Sequence, residues 1–473
     1  MDGFVGRAHE LGLLNRLLSR VAEGGRAGRP GRAILIRGRR RVGKSRLVEE
    51  FVDRAGVPYV FYTASGQPTV EADLRLFAES VQESALPDTE LFRDQVPATW
   101  DAALRLLARS LPHSQPSVVV IDEMPYLIKT DPGFEGTLQK AFDRELSRKP
   151  VLLICIGSDL AMMEALNEYG RPFHQRATEL VIPPLNPADA AEMLGLPAAD
   201  AFDAYLVSGG LPLILDEWPY GMTALDYAAE AVRDPLSALL VSGERALAAE
   251  FPEDSHARLV LGAIGSGEVA YSKIQQAAGS MAQTTLNRAL HMLTAKRIVD
   301  VSVPLSTHPS REKRYSVADP HLRFWLPFVG PHMPEVERGR GDLLMRRLIP
   351  SWPAWRGIAV EPVIREALRR ISDQLPGRPQ AVGSYWTRSN DPQIDLVGAD
   401  REPVAQRISF TGSVKWRENM PFGERDLADL IRHRSRLPGA DESTPLIVIT
   451  RSGATVKSPI MLSPDDLLAA WRP

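Results

Sequence analysis

The stretch Gly38–Ser45, reading Gly-Arg-Arg-Arg-Val-Gly-Lys-Ser, constrains this chain more than any other. It follows a short apolar run, Ala33-Ile34-Leu35-Ile36, and opens into a helical pattern with Leu47, Val48, Phe51 and Val52 on one face. A strand, a tight glycine loop ending in Gly-Lys-Ser and then a helix is the context in which GxxxxGK[ST] binds phosphate. Gly38 and Gly43 let backbone N–H groups curl around an anion, helped by the positive end of the following helix. Lys44 then reaches the β- and γ-phosphates, while the Ser45 hydroxyl ligates Mg²⁺.

A phosphate loop needs an acidic partner, and Ser117-Val-Val-Val-Ile-Asp122-Glu123 supplies one. A continuous apolar run of this kind is what a strand buried on both faces of a parallel sheet looks like. At its carboxyl end, Asp122 is placed to hold the Mg²⁺ shell, as a Walker B aspartate does. Glu123 is placed to orient or deprotonate the attacking water. Taken alone, the pair reads equally well as an ordinary acidic helix start.

Further strands are expected at Val57–Tyr62, Val151–Ile156 and Leu180–Ile182, with a helical region over 70–113. The fourth strand ends in Gly157-Ser158, where the serine side chain can touch the γ-phosphate or the water. The single cysteine, Cys155, lies in that apolar run, so burial is expected and an internal disulfide is excluded. Ahead of the fifth strand, Arg171 and Arg176 lie in a loop. Arg176 is the preferred candidate to reach a nucleotide across a subunit boundary, which implies a homo-oligomer; a plain surface arginine is the other reading. Gly209-Gly210-Leu211-Pro212 is either a backbone contact to the nucleotide or a simple turn.

At 473 residues the chain is too long for one core and suggests about three domains. A formal net charge of −3 argues against a uniformly basic nucleic-acid binder, so any such contact must be a local patch. No apolar run reaches membrane-spanning length, and Met1-Asp2-Gly3-Phe4 carries no secretory pattern, so no membrane partner is expected and the cytoplasm is the expected location.

Phe4-Val5-Gly6-Arg7, the phosphate loop, Val118–Leu127, Ile154–Ser158, the arginine-bearing loop and Ser208–Pro212, in this order, resemble the archaeal-type ATPase family of the AAA+/STAND branch of P-loop proteins. The resemblance covers roughly residues 3 to 250 and implies an α/β fold: a five-stranded parallel P-loop NTPase core with a helical lid. It implies ATP and Mg²⁺, with Lys44, Ser45, Asp122 and Glu123 in the roles above, Ser158 as sensor and Arg176 as arginine finger. The cofactor-binding set it implies is Gly38, Arg39, Val42, Gly43, Lys44, Ser45 and Arg46, with Phe4, Gly6 and Arg7 ahead and Gly210 and Pro212 behind.

Residues 256–317 change character. Three helical patterns, His256–Ile264, Tyr271–Ala277 and Thr284–Ala295, precede two β-like runs, Ile298–Val303 and Lys313–Val317, which together read as a winged helix-turn-helix. The third helix turns Leu286, Ala289, Leu290 and Leu293 inward and Gln283, Asn287, Arg288 and His291 outward, polar groups that suit base edges and phosphates. About eight Lys and Arg against about three acids make this segment basic within an acidic chain, the local footprint DNA binding needs. Winged helices also dock proteins, and that reading stays open.

Beyond the Pro- and Gly-rich passage 327–341, a helix from Glu361 and strands at 382–386, 393–398, 404–410, 413–416 and 446–450 are expected. This order is similar to the restriction-endonuclease-like PD-(D/E)xK domain that often follows archaeal-type ATPases. That likeness implies a metal site at Glu361, Asp395 and Lys415. Ser413 stands where an acid is expected, and a hydroxyl is a poor Mg²⁺ ligand beside a carboxylate. Glu418 is the alternative acid, on the far side of Lys415. A relic fold used for binding or docking is therefore expected over an active nuclease.

The expected organisation is an ATPase core over 1–184, a lid over 185–250, a winged helix over 251–330 and the nuclease-like domain over 335–473. The expected function is an ATP-driven switch coupled to DNA. An ATP-gated, metal-dependent nuclease and a signalling scaffold that binds protein are the alternatives.

Overall fold

The computed structural model describes residues 4–24, 28–93, 96–166, 168–251, 255–457 and 459–472. Met1 to Gly3 and residues 25–27 lie outside the described residues. Two compact units emerge, Met1–Pro184 and Leu185–Pro473.

In the first unit the strands are β1 (Arg32–Arg37), β2 (Tyr59–Thr63), β3 (Ser117–Asp122), β4 (Val151–Gly157) and β5 (Ala177–Val181). They form one sheet in the order β2-β3-β4-β1-β5, every neighbouring pair parallel. Every residue of β3 and β4 is buried, which is why both read as unbroken apolar runs. Cys155 is buried in β4. On one face Leu35, Val119, Ile121 and Leu153 meet an aromatic group in which Trp100 packs edge-on against Phe77 and Phe134 at ring-centroid distances of 5.4 and 5.0 Å. The fifth strand begins earlier than the apolar triplet 180–182 because β5 is a sheet edge, half-buried, and needs no continuous apolar run.

The second unit opens with helices Pro187–Leu194, Ala198–Ser208, Pro212–Glu217, Ala224–Ala231 and Ala238–Glu250. Helices His256–Gly265, Tyr271–Ala277 and Gln283–Ala295 then lead into an antiparallel hairpin, β6 (Val299–Ser302) and β7 (Arg314–Val317), giving the winged-helix arrangement. In the third of these helices Leu286, Ala289, Leu290 and Leu293 are buried while Gln283, Asn287, Arg288 and His291 are exposed.

The helix Glu361–Arg370 precedes a mixed sheet of β8 (Ala381–Trp386), β9 (Gln393–Ala399), β10 (Ile408–Lys415), β11 (Leu446–Thr450) and β12 (Ile460–Leu462). Its order is β12-β11-β10-β9-β8, with β8, β9 and β10 antiparallel and β10, β11 and β12 parallel. The runs expected at 404–410 and 413–416 form the single strand β10, which carries Gly412 in its interior because a Cβ there would sit 2.4 Å from the Ile447 carbonyl oxygen. The sheet also ends one strand later than expected, at β12. One hydrophobic core runs from Leu185 through Phe202, Leu261, Leu286, Trp325 and Leu396 to Leu468, so this unit packs as one body. Among the described residues no helix is long and apolar enough to cross a membrane.

Candidate functional site

In open parallel sheets ligands gather at the carboxyl ends of strands. Here β1 leads into the phosphate loop, β3 ends at Asp122, and β4, lying between them in the sheet, leads to Ser158. The loop is built for close backbone approach. A Cβ on Gly38 would lie 2.6 Å from the Ile182 carbonyl oxygen, and Gly43 adopts φ +83°, a left-handed conformation that only glycine enters at little cost. Arg41 is left-handed as well, at φ +67°. Gly43 caps the helix Lys44–Ala55, whose first N–H groups and dipole point at the loop.

Lys44 is buried, and its Nζ donates to the carbonyl oxygens of Gly38 and Arg39, both at 3.0 Å. Burial holds its pKa below the ordinary lysine range, against the opposing pull of Glu123 and Asp122. An ammonium turned onto loop carbonyls, with two carboxylates nearby, fits an anionic ligand. Ser45 Oγ donates to Asp122 Oδ2 at 2.7 Å, and the other Asp122 oxygen accepts the Glu123 N–H at 2.8 Å. Burial raises the pKa of Asp122, and the Ser45 hydrogen bond and the Glu123 N–H oppose that. The hydroxyl and carboxylate together are a hard oxygen pair suited to a divalent cation.

Glu123 starts the helix Met124–Thr130 with φ +54°, a conformation that is costly for a non-glycine residue and is concentrated at functional sites. Its Oε2 accepts from Ser158 Oγ at 2.9 Å. Lys44, Ser45, Asp122, Glu123 and Ser158 are thus linked across three strand ends.

The flanking residues have other attachments. The buried Arg7 guanidinium donates to the carbonyl oxygens of Val42 at 3.0 Å and Pro183 at 2.6 Å, bracing the loop from behind. Gly6 has φ +74°, and Phe4 lies under the Arg54 guanidinium at 5.9 Å. Exposed Arg46 pairs with Glu49 and Glu50. Arg176 is not joined to the cluster: its Nε donates to both Asp143 carboxylate oxygens, at 3.1 and 3.0 Å. Arg171 pairs at 2.6 Å with Glu135, on the same helix, Phe134–Arg144, as Asp143. Gly210 and Pro212 belong to the second unit. Gly210 has φ +68°, and a Cβ there would lie 1.9 Å from the Leu185 carbonyl oxygen, so the turn is sterically required.

In the second unit Glu361, Asp395 and Ser413 converge and are joined by protein hydrogen bonds. Arg365 Nη1 donates to Glu361 Oε2 at 3.2 Å and to the Asp395 carbonyl at 3.0 Å. Asp395 Oδ2 accepts from Ser413 Oγ at 3.0 Å and the Val414 N–H at 2.9 Å. Burial, and then Asp395, push the Glu361 carboxyl up to about 7. One oxygen of each carboxylate is thus engaged by protein donors, which leaves one oxygen of each for a hard divalent ion. Among the described residues no group of three or more His, Cys, Asp or Glu is arranged to hold one. Lys415 ends β10, half-buried. Glu418 does not take the place of the missing acid; it accepts from Arg356 at 2.6 Å.

That contact belongs to a network that sequence reading missed. Buried Asp203 accepts from Arg356 at 2.8 Å and Trp416 Nε1 at 3.0 Å, and forms an ion pair with Arg451 at 3.1 Å. It ties the helix Ala198–Ser208 to the end of β10 and the loop after β11. The available signal was an acid between Phe202 and Ala204 on an apolar helix; its partners lie 153 or more residues away.

An uncharacterized protein of Methanocaldococcus jannaschii is 25% identical over 421 residues, covering 86% of this chain and 88% of its own length. A Walker-type ATPase of Pyrococcus abyssi superposes with a TM-score of 0.49 at 18% identity, covering 68% of this chain and 96% of its own. The ORC2 protein of Aeropyrum pernix, in ADPNP–ADP complexes, does so with a TM-score of 0.44 at 15% identity, covering 74% and 98%. Residues 325–427 match a family of archaeal and bacterial proteins of unknown function, and residues 4–217 match an ATPase domain family found predominantly in Archaea.

Proposed function

We propose that the chain binds and hydrolyses ATP at the carboxyl ends of β1, β3 and β4, and that nucleotide state governs DNA binding by the winged-helix segment. The observation that carries the reading is the linked set Lys44, Ser45–Asp122 and Glu123–Ser158 beside a left-handed glycine at a helix start. Gly43 and the first turn of its helix would receive the phosphates, with Lys44 turning from the loop carbonyls to the β- and γ-oxygens. Ser45 and Asp122 would hold Mg²⁺, which when bound neutralises charge on the phosphate oxygens. Glu123 would orient the attacking water, and its bond to Ser158 keeps that carboxylate parked until a γ-phosphate competes for the hydroxyl. Arg176 would supply the remaining positive charge, within the chain or from a second copy, by leaving Asp143.

For hydrolysis the test is Glu123→Gln. Nucleotide binding should persist while turnover falls roughly 10²–10⁴-fold, the usual worth of a positioned general base; undiminished turnover would remove Glu123 from the mechanism. DNA binding rests on the exposed face Gln283, Asn287, Arg288 and His291. Duplex binding measured against salt, with and without ATP, tests it: a steep negative slope supports DNA, and a flat or absent response supports a protein-docking role instead. The expected location remains the cytoplasm.

A further inference from the structure

We propose that the surface beside Glu361 and Asp395 is a clamp that captures the wing of the winged helix, in place of the metal-dependent cutting site its topology resembles. Three sets of contacts carry this, all within the second unit. First, the acids are occupied from inside: Arg365 spans Glu361 and the Asp395 backbone, and Ser413 and Val414 saturate one Asp395 oxygen. Second, Arg314 on β7 of the wing reaches the same sheet. Its Nη2 donates to Asn390 Oδ1 at 2.6 Å and Gln393 Oε1 at 3.2 Å, and its guanidinium lies 4.4 Å from the centre of the Trp386 ring. Arg314 and Glu361 also attract one another electrostatically. The wing thus brings a cation held by Asn390, Gln393 and Trp386 into the field of Glu361.

Third, the connection between β6 and β7 is pinned to the sheet by its backbone. The Leu305 N–H donates to the Ser384 carbonyl at 2.9 Å, the Ala405 N–H to the Ser306 carbonyl at 2.9 Å, and the Thr307 N–H to the Pro438 carbonyl at 3.3 Å. Leu305 is 2% exposed, packed with Ala381, Ile394, Val397 and Ile408. Thr307 fills the space over Gly439, where a Cβ would lie 2.2 Å from its methyl group. A free wing reaching along a nucleic-acid duplex has no use for a buried leucine, two donated amides and an accepting carbonyl. Where DNA is bound, the buried and pinned part of the wing is then not available to it, a corollary that rests on the DNA reading; the clamp itself does not.

Amide hydrogen exchange on the full chain, without DNA, tests the clamp directly. Leu305, Thr307 and Ala405 should be protected at a level comparable with β9, and Arg314→Ala should speed exchange at Leu305 and Thr307 roughly tenfold or more while Leu396 stays protected. Free exchange of Leu305 and Thr307 in the wild-type chain would overturn the clamp, and this readout stands whether or not the variant folds well. A calorimetric Mn²⁺ titration of the nucleotide-free chain against Asp395→Asn closes the metal question. Matching isotherms are expected, and a binding step lost in Asp395→Asn would restore the metal site and overturn the proposal.

Discussion

Single residues in this chain are read best by what already holds them. Lys44, Ser45 and Glu123 engage polar groups that, on the proposed reading, a nucleotide or its metal would replace, whereas Arg7 is engaged by acceptors belonging to the loop's own frame. That distinction was invisible in the motif Phe4–Arg7, where a guanidinium bracing a loop and one touching a ligand look alike. Glu361 offers a sharper residue-scale test. Its folded pKa of about 7 stands above the ordinary 4.5, so the folded state holds the proton more tightly than the unfolded chain does. Stability from this group is full below pH 4.5 and is lost as pH rises through about 7. Glu361→Gln should flatten that stretch of the stability curve and raise stability at pH 8, by about 1–3 kcal/mol. Urea unfolding across pH 4–9 measures it, and parallel curves for the two proteins would show that the carboxyl is not strained.

Among elements, legibility followed burial symmetry. Strands β3 and β4, covered on both faces, wrote themselves as apolar runs, and the helix Gln283–Ala295 displays the inside and outside faces its spacing implied. Edge strands were harder: β5 starts three residues ahead of its apolar triplet, and β12, with two exposed residues of three, carried no run long enough to read. Gly412 split β10 into two apparent runs because a glycine chosen for backbone proximity looks like a turn. The recognition face has its own test. Arg288→Ala should weaken duplex binding across unrelated sequences and lower the slope of log affinity against log salt by about one. An unchanged slope would take Arg288 out of the phosphate contacts.

At the scale of the molecule, each unit carries a different lesson. The first was legible because motif order and apolar runs follow chain order, and its chemistry sits at strand ends. The second was legible as elements but not as one body, since its ties join residues far apart in sequence. The buried Asp203 network is the plainest case: removing the acid leaves Arg356 and Arg451 short of a partner inside a shared core. Asp203→Ala should cost about 3–5 kcal/mol and move the whole unfolding transition of residues 185–473, not a part of it. Calorimetry showing a shift confined to one sub-transition would mean that the lid, winged helix and last sheet are separate bodies. The proposed ATP switch presupposes a ligand at the strand ends of the first unit. The most direct measurement is equilibrium binding of ATP at millimolar Mg²⁺ to the wild-type chain and to Lys44→Ala. Saturable binding that the variant lacks is the expected result, and no binding by the wild type, or equal binding by both, would contradict the account.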